Sequence, residues 1–225
     1  MWLRRWLEET PVFEEMKRRA ALSRQLPLRI VIGSHGRAVV VSLISTWMLT
    51  AAIVVVVLMT PTLLQKLFAL SPGQAQTANL ATTAALCLSN VATGTAIDRF
   101  GIRRVTVFVL LLLIVATFAL YTTVGHRPSL LLPFSILAGL GVGGVVATPI
   151  MMVRSFPDAV RFSGVSFSYN LAYSIFGGLT PLLVLSLAKI NQVGPACYVA
   201  AAAVAGLCAT LAAPMNYLSP SENSE

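Results

Sequence analysis

Six apolar segments, each long enough to cross a bilayer, fill nearly everything after residue 37, and none has a charged side chain in its interior. Runs of about 20 predominantly apolar residues place the spans at Ala38–Gln65, Gln74–Ile97, Val105–Gly125, Leu130–Val153, Phe162–Ala188 and Pro195–Pro214. Hydrocarbon offers no water to backbone N–H and C=O groups, so a spanning segment is either a helix or a strand of a closed barrel. These runs lack the two-residue alternation of barrel strands. The expected fold is therefore all-α, a polytopic membrane protein with six transmembrane helices.

The distribution of charge orients the spans. Hydrophobic residues make up 56% of the chain against 11% charged, which excludes an ordinary soluble domain. The net charge of +8 is a topology signal and not a nucleic-acid footprint. Of the 16 Lys and Arg, eight precede the first span (Arg4, Arg5, Lys17, Arg18, Arg19, Arg24, Arg29, Arg37), Arg99, Arg103 and Arg104 fill the second connection, and Arg154 and Arg161 flank the fourth. The alternate connections hold only Lys66, Arg127 and Lys189. Thirteen against three is the positive-inside pattern, which puts both termini and the second and fourth connections in the cytoplasm, beside an anionic inner leaflet. The first 37 residues are polar and no secretory signal peptide is visible, so the first span is expected to act as the insertion signal. Cys87, Cys197 and Cys208 lie within spans without metal-ligand spacing and read as small packing residues. No metal or cofactor is expected.

Residues 1–37 read as a cytoplasmic linker segment, 38–214 as the transmembrane domain and 215–225 as a cytoplasmic tail. In the linker, Glu14–Arg24 has the opposed charges of a solvated helix (Glu14 with Arg18, Glu15 with Arg19), and Trp2, Trp6 and Leu7 beside Arg4 and Arg5 fit a membrane interface. Connections are short, so consecutive helices are expected to pack as antiparallel neighbours. Two triplets of helices related by inversion, as in many transporters, are expected by analogy. Gly139-Leu140-Gly141-Val142-Gly143-Gly144 has no preceding strand and is read as a helix-packing surface, not a phosphate loop.

The most specific stretch is the turn between spans two and three, Gly94-Thr95-Ala96-Ile97-Asp98-Arg99-Phe100-Gly101-Ile102-Arg103-Arg104. Its plain reading is a tight turn with basic topology anchors. Gly94 would permit close helix approach and Gly101 a sharp turn. Asp98, near Arg99, Arg103 and Arg104, would form a latch with arginines or with a facing helix amino terminus. The spacing resembles the loop motif G-x-x-x-D-R-x-G-x-R-R of the major facilitator superfamily. A second stretch starts at Phe156-Pro157-Asp158-Ala159-Val160-Arg161-Phe162-Ser163-Gly164-Val165-Ser166 and continues through Tyr169-Asn170 to Phe176-Gly177-Gly178 and Pro181. It is similar to the penultimate helix of the metabolite:proton symporter branch. Leu7-Glu8-Glu9-Thr10-Pro11-Val12-Phe13 looks like that branch's central cytoplasmic linker.

The resemblance covers the second half of a twelve-helix transporter. It implies half of a major facilitator fold in the bacterial inner membrane. It also implies a small organic solute and a proton as ligands of the complete transporter, and a separate amino-terminal half as a partner beside the lipid bilayer. The sequence adds that no Asp, Glu, Lys, Arg or His lies near the middle of a span. Burying such a group costs about 2.5 to 3.5 kcal/mol and is accepted mainly on ion and substrate pathways, so coupling chemistry is expected on other helices.

Uncharged polar groups remain for the substrate path: Trp47 and Thr50 in the first span, Asn79 and Asn90 in the second, and Ser166, Tyr169, Asn170 and Tyr173 in the fifth. The last four share one helical face by their three- and four-residue steps. The competing role for each is a bond between helices, at roughly 1 kcal/mol. Pro157 and Arg161 mark the start of the fifth span, and Gly177, Gly178 and Pro181 are expected to bend it.

The expected function is transport of a small organic solute of the organic-acid or zwitterionic osmolyte class, proton-coupled in the complete transporter. The alternatives are a non-transporting remnant and an intramembrane enzyme. The latter needs a nucleophile and base within the bilayer, whereas His35 and His126 stand at span edges and no G-x-S-x-G or H-E-x-x-H string occurs. The charge asymmetry predicts that cysteine labelling or reporter fusions find both termini and Asp98 in the cytoplasm. A periplasmic carboxy terminus would falsify this topology.

Overall fold

The computed structural model describes residues 27–213. The expectations for Trp2, Trp6, the Glu14–Arg24 helix and the tail lie outside the described residues. A short helix, α1 (Pro27–Ser34), leads into six helices long and apolar enough to cross a membrane: α2 (Gly36–Phe68), α3 (Pro72–Phe100), α4 (Ile102–Thr123), α5 (Pro128–Ser155), α6 (Arg161–Ile190) and α7 (Gly194–Ala212). The expected spans fall on these helices within a few residues.

Local chemistry sets the ends. At the start of α3, Ser71 and Gln74 form a reciprocal capping box, the Gln74 N–H donating to Ser71 Oγ (3.2 Å) and the Ser71 N–H to Gln74 Oε1 (3.1 Å), with Pro72 in the first turn. Gly101, at φ 83°, makes the one-residue joint between α3 and α4, a conformation that residues with a Cβ rarely adopt. At the same end as this joint, the last carbonyls of α7 lack intrahelical donors. Arg37 at the start of α2 donates to the Ala212 carbonyl (2.9 Å), and Arg103 at the start of α4 donates to that of Ala213 (3.4 Å). Cations suit that negative end of the helix dipole.

Two of the helices change hydrogen-bond register midway. In α2, residues Ala52–Met59 form a π-helix just before Pro61. Proline has no N–H for the i−4 carbonyl, and Thr60 offers a substitute five residues back, its Oγ1 donating to the Val55 carbonyl (2.8 Å). The Thr60 hydroxyl also meets the Tyr121 hydroxyl of α4 at 3.1 Å. In α5 the helix tightens to 3₁₀ over Gly143–Val146.

The packing departs from the expected order. Of the most extensive contacts only one, α4 with α5, joins consecutive antiparallel helices: α3 with α5 and α2 with α6 are pairs that run in the same direction, and α2 with α7 and α4 with α7 are antiparallel but not consecutive. The sequence could not show this, because short connections fix direction but not lateral order. The observed pairs have a symmetry of their own. Exchanging α2, α3, α4 for α5, α6, α7 maps α3–α5 onto α6–α2 and α4–α5 onto α7–α2, and leaves α4–α7 unchanged. The contact pattern therefore has the form expected of two inverted triplets.

Small residues carry the closest approaches, since lipid-facing apolar helices gain little from mere hydrophobicity. A Cβ at Gly139 would lie 2.2 Å from the Thr82 carbonyl oxygen, and one at Gly141 2.6 Å from Leu113 Cα. At Gly143 it would lie 2.1 Å from Ser89 Oγ. Hydroxyls lock the same seam: Ser89 Oγ donates to the Leu140 carbonyl (2.6 Å) and Thr82 Oγ1 to that of Ser135 (3.1 Å). Gly94 does not behave as expected. A Cβ there meets nothing within 4 Å, because it sits toward the outer side of α3 with exposed Leu88, Val91 and Asp98, and α5 approaches the opposite side. The three cysteines are exposed on outer helix faces and do not fill the interior.

Overpacking a close-packed interior costs about 1 to 3 kcal/mol and more where backbone blocks the new atoms. Gly139→Ala should therefore lower the unfolding midpoint in detergent and the yield of monodisperse protein, whereas Gly94→Ala should match the parent; equal unfolding of the two variants would remove glycine contact from the account of the α3–α5 seam.

Candidate functional site

The helix α6 is only 22% buried over its most apolar window, against 61% for α2. Its open side carries polar groups among exposed apolar ones. Ser166, Tyr169, Asn170 and Tyr173 lie together there, with Tyr169 and Tyr173 stacked at a ring separation of 5.4 Å. Asn170 Nδ2 donates to the Ser166 carbonyl at 2.7 Å, which fixes the amide and leaves Asn170 Oδ1 turned to other donors. A groove of about 550 Å³ runs along this face from Val153 past Asp158 and Arg161 to Tyr169 and Asn170. At its mouth Arg161 pairs with Asp158 (2.5 Å) and donates from Nε to the Phe156 carbonyl (3.2 Å), closing the turn that contains Pro157. Farther along, α6 continues unbroken through Pro181. The proline leaves the Gly177 carbonyl without its i+4 donor, and a Cβ at Gly178 would meet nothing within 4 Å.

Trp47 belongs to a different arrangement. Its indole stacks on Phe176 of α6 at 5.2 Å, and its Nε1 donates to the Tyr198 hydroxyl of α7 at 3.0 Å. That hydroxyl in turn meets Thr180 Oγ1 of α6 at 2.7 Å. The indole N–H is thus occupied within the protein, and only part of the ring is exposed. Thr50 is fully buried and donates to the Thr46 carbonyl (2.8 Å), so it presents no group to a cavity. Asn79 and Asn90 are three helical turns apart on α3, half-buried, and each has a buried Oδ1 without a hydrogen-bond partner. The eight candidates therefore separate into a cluster of four on α6, two on α3, and Trp47 and Thr50 within α2 packing.

At the arginine-rich turn, Asp98 and Arg99 are exposed in the last turn of α3, and Arg103 and Arg104 in the first turn of α4. Among the described residues no cation lies within ion-pair distance of Asp98. Arg103 is committed to the end of α7 instead. The latch components share one turn but are not joined within it.

A family model described as the Major Facilitator Superfamily matches residues 38–225. The chain belongs to that superfamily. Its relatives include proton symporters. It is 29% identical over 218 residues to a citrate-proton symporter of Klebsiella pneumoniae, covering 92% of this chain and 47% of the relative. It is 30% identical to a citrate-proton symporter of Salmonella typhi, covering 92% and 48%. With the inner membrane metabolite transport protein YhjE of Escherichia coli it shares 27%, over 92% and 48%. These relatives are transporters by name, and the chain spans about half their length. No solved structure matches it. The half-length match agrees with six apolar helices where the resemblance implies twelve, so this is a multi-pass membrane protein with half of a major facilitator fold.

Several polar residues that shape this half escaped the sequence reading. Thr180 and Tyr198 anchor Trp47, and Thr60 with Tyr121 anchors the π-helical stretch. Ser42, Ser45 and Ser168 have buried hydroxyls without partners. The available signal was a polar side chain inside an apolar run, and Thr180 stands two turns beyond Tyr173. Tyr198→Phe removes both bonds of the Tyr198 hydroxyl and strands the Trp47 N–H. Interhelical bonds in membranes are worth about 0.6 to 1.7 kcal/mol each, so this variant should unfold earlier and show altered tryptophan emission. An unchanged emission maximum and midpoint would show the network to be energetically idle.

Proposed function

We propose that this chain forms the carboxy-terminal wall of a proton-coupled organic solute transporter in the bacterial inner membrane, with its arginine-rich end in the cytoplasm. The observation that carries this reading is the open, polar face of α6. Exposing Ser166, Tyr169, Asn170 and Tyr173 to hydrocarbon would be unfavourable, whereas lining an aqueous path against a second half suits them. In this reading Ser166 and Asn170 bind solute hydroxyl or carboxylate groups, the paired tyrosines form an amphipathic wall, and Asn79 and Asn90 supply acceptors from α3. Trp47 and Thr50 hold that wall in place from behind.

The solute class is organic acid or zwitterionic osmolyte. The names of the two citrate-proton symporters favour the acid, and they support proton coupling as well. Within this half no span carries a group that could bind and release a proton at depth. Proton exchange linked to solute occupancy therefore falls to the other half. Asp98, without a cation inside its own turn, takes its partner across the interface and opens and closes with the alternation of the two halves.

The chain alone, in proteoliposomes with an imposed proton gradient, should accumulate no labelled citrate, shikimate or betaine above empty vesicles. Gradient-driven uptake by the single chain would overturn the reading. Paired with an amino-terminal half, Asn170→Ala should slow uptake without loss of membrane insertion, and Asp98→Asn should impair exchange between inward and outward states. Parental uptake by both variants would dissociate α6 and the turn from transport.

A further inference from the structure

A second groove, away from the polar face of α6, lies between α3 and α4. It has a volume of about 550 Å³ and is almost wholly apolar. Ala92 and Ala96 form its α3 side and Phe108 and Leu112 its α4 side, with Phe100 and Arg104 at the mouth. The phenyl rings of Phe100 and Phe108 are 62% and 68% exposed, so they stand out as banks on either side. Its floor is closed by Ser89 and Leu140, whose polar atoms already satisfy each other through the 2.6 Å bond. Apart from the hydroxyl of the nearly buried Thr93 the lining is apolar, and it suits a hydrocarbon guest.

The mouth is chemically different. Arg104 lines it, and Arg99 and Arg103 belong to the same turn, whose one carboxylate is Asp98, so the turn Asp98–Arg104 has two positive charges in excess. Arg103 is turned to the Ala213 carbonyl. Arg104 lines the groove itself, and among the described residues its guanidinium has no hydrogen-bond or ion-pair partner. From Arg104 to Leu112 the α4 wall rises about 12 Å, close to the half-thickness of a hydrocarbon core about 30 Å deep. A molecule with a negatively charged head at Arg104 and an apolar chain reaching toward mid-membrane matches both parts.

We infer that this groove is a binding site for one anionic phospholipid of the arginine-side leaflet. Its acyl chain lies between Phe100 and Phe108 along the alanine side of α3, and its phosphate engages Arg104. The positive-inside asymmetry puts this mouth in the leaflet whose anionic lipids are attracted to basic juxtamembrane groups. The inference concerns the outer face of α3 and α4 and does not depend on the transport reading.

Native mass spectrometry of the full chain, released from detergent with equal phosphatidylglycerol and phosphatidylcholine of the same acyl chains, tests it. The parent should retain one phosphatidylglycerol in preference to phosphatidylcholine. Arg104→Gln should weaken that retention about fivefold, the effect of one basic residue near an anionic surface, and Arg104→Lys should largely restore it. Ala92→Trp, at an exposed position on the groove wall, should displace the lipid while leaving the thermal midpoint near the parent's. Equal retention of the two lipids, or retention indifferent to Arg104→Gln, would overturn the headgroup assignment. Retention that survives Ala92→Trp would overturn the groove, as would a lipid-free dimer that covers it.

Discussion

The close approach of α5 to α3 and α4 is the contact on which the other helices depend. In hydrocarbon, exclusion of water gives helices little reason to associate, and the work passes to dispersion and to hydrogen bonds that need short distances. Gly139, Gly141 and Gly143 provide those distances, and the Ser89 and Thr82 hydroxyls use them to reach carbonyls on α5. With α5 seated, Leu110, Leu113 and Ala116 of α4 meet Met48, Val55 and Ala202 of α2 and α7 in one continuous interior. The outer position of α6 follows from this arrangement: it contacts α2 along its length, meets α7 and α1 less extensively, and leaves much of its remaining surface open.

What the sequence made legible was whatever depends on transfer between water and hydrocarbon. The six spans, the basic turns and the joint at Gly101 all follow from such local terms, and the structure has them where the chain predicts. Lateral order was not legible, because Gly94 and Gly139 look alike in a string although a Cβ at one meets nothing and at the other strikes a backbone carbonyl. The same limit applies to Trp47. Its partner Tyr198 is 151 residues from it, Thr180, which bonds Tyr198, is 18 residues from Tyr198, and only the folded arrangement brings the three together. The π-helical stretch is an intermediate case: Pro61 announces a lost bond, yet the substitute from Thr60 to Val55 depends on how the surrounding helices hold α2.

The register changes in α2 and α5 stand at corresponding places. One begins at Ala52 and the other at Gly143, each roughly midway along the first helix of its triplet. They arise from opposite causes, since a π-helix loosens the ladder and a 3₁₀ turn tightens it. The correspondence fits the symmetry of the contact pattern and places the two least regular backbones of the spans in equivalent helices.

The paired arginines at the end of α7 bear on how the chain is made. Arg37 is synthesised early, and its carbonyl partner at Ala212 comes 175 residues later. Arg103 likewise waits 110 residues for Ala213. Until the sixth span has left the ribosome and crossed the bilayer, neither guanidinium group has the carbonyl that it binds in the folded chain. Completion of α7 is then a discrete event in biogenesis, when two early arginines engage the carbonyls at its end and the bundle is closed from its arginine-bearing edge.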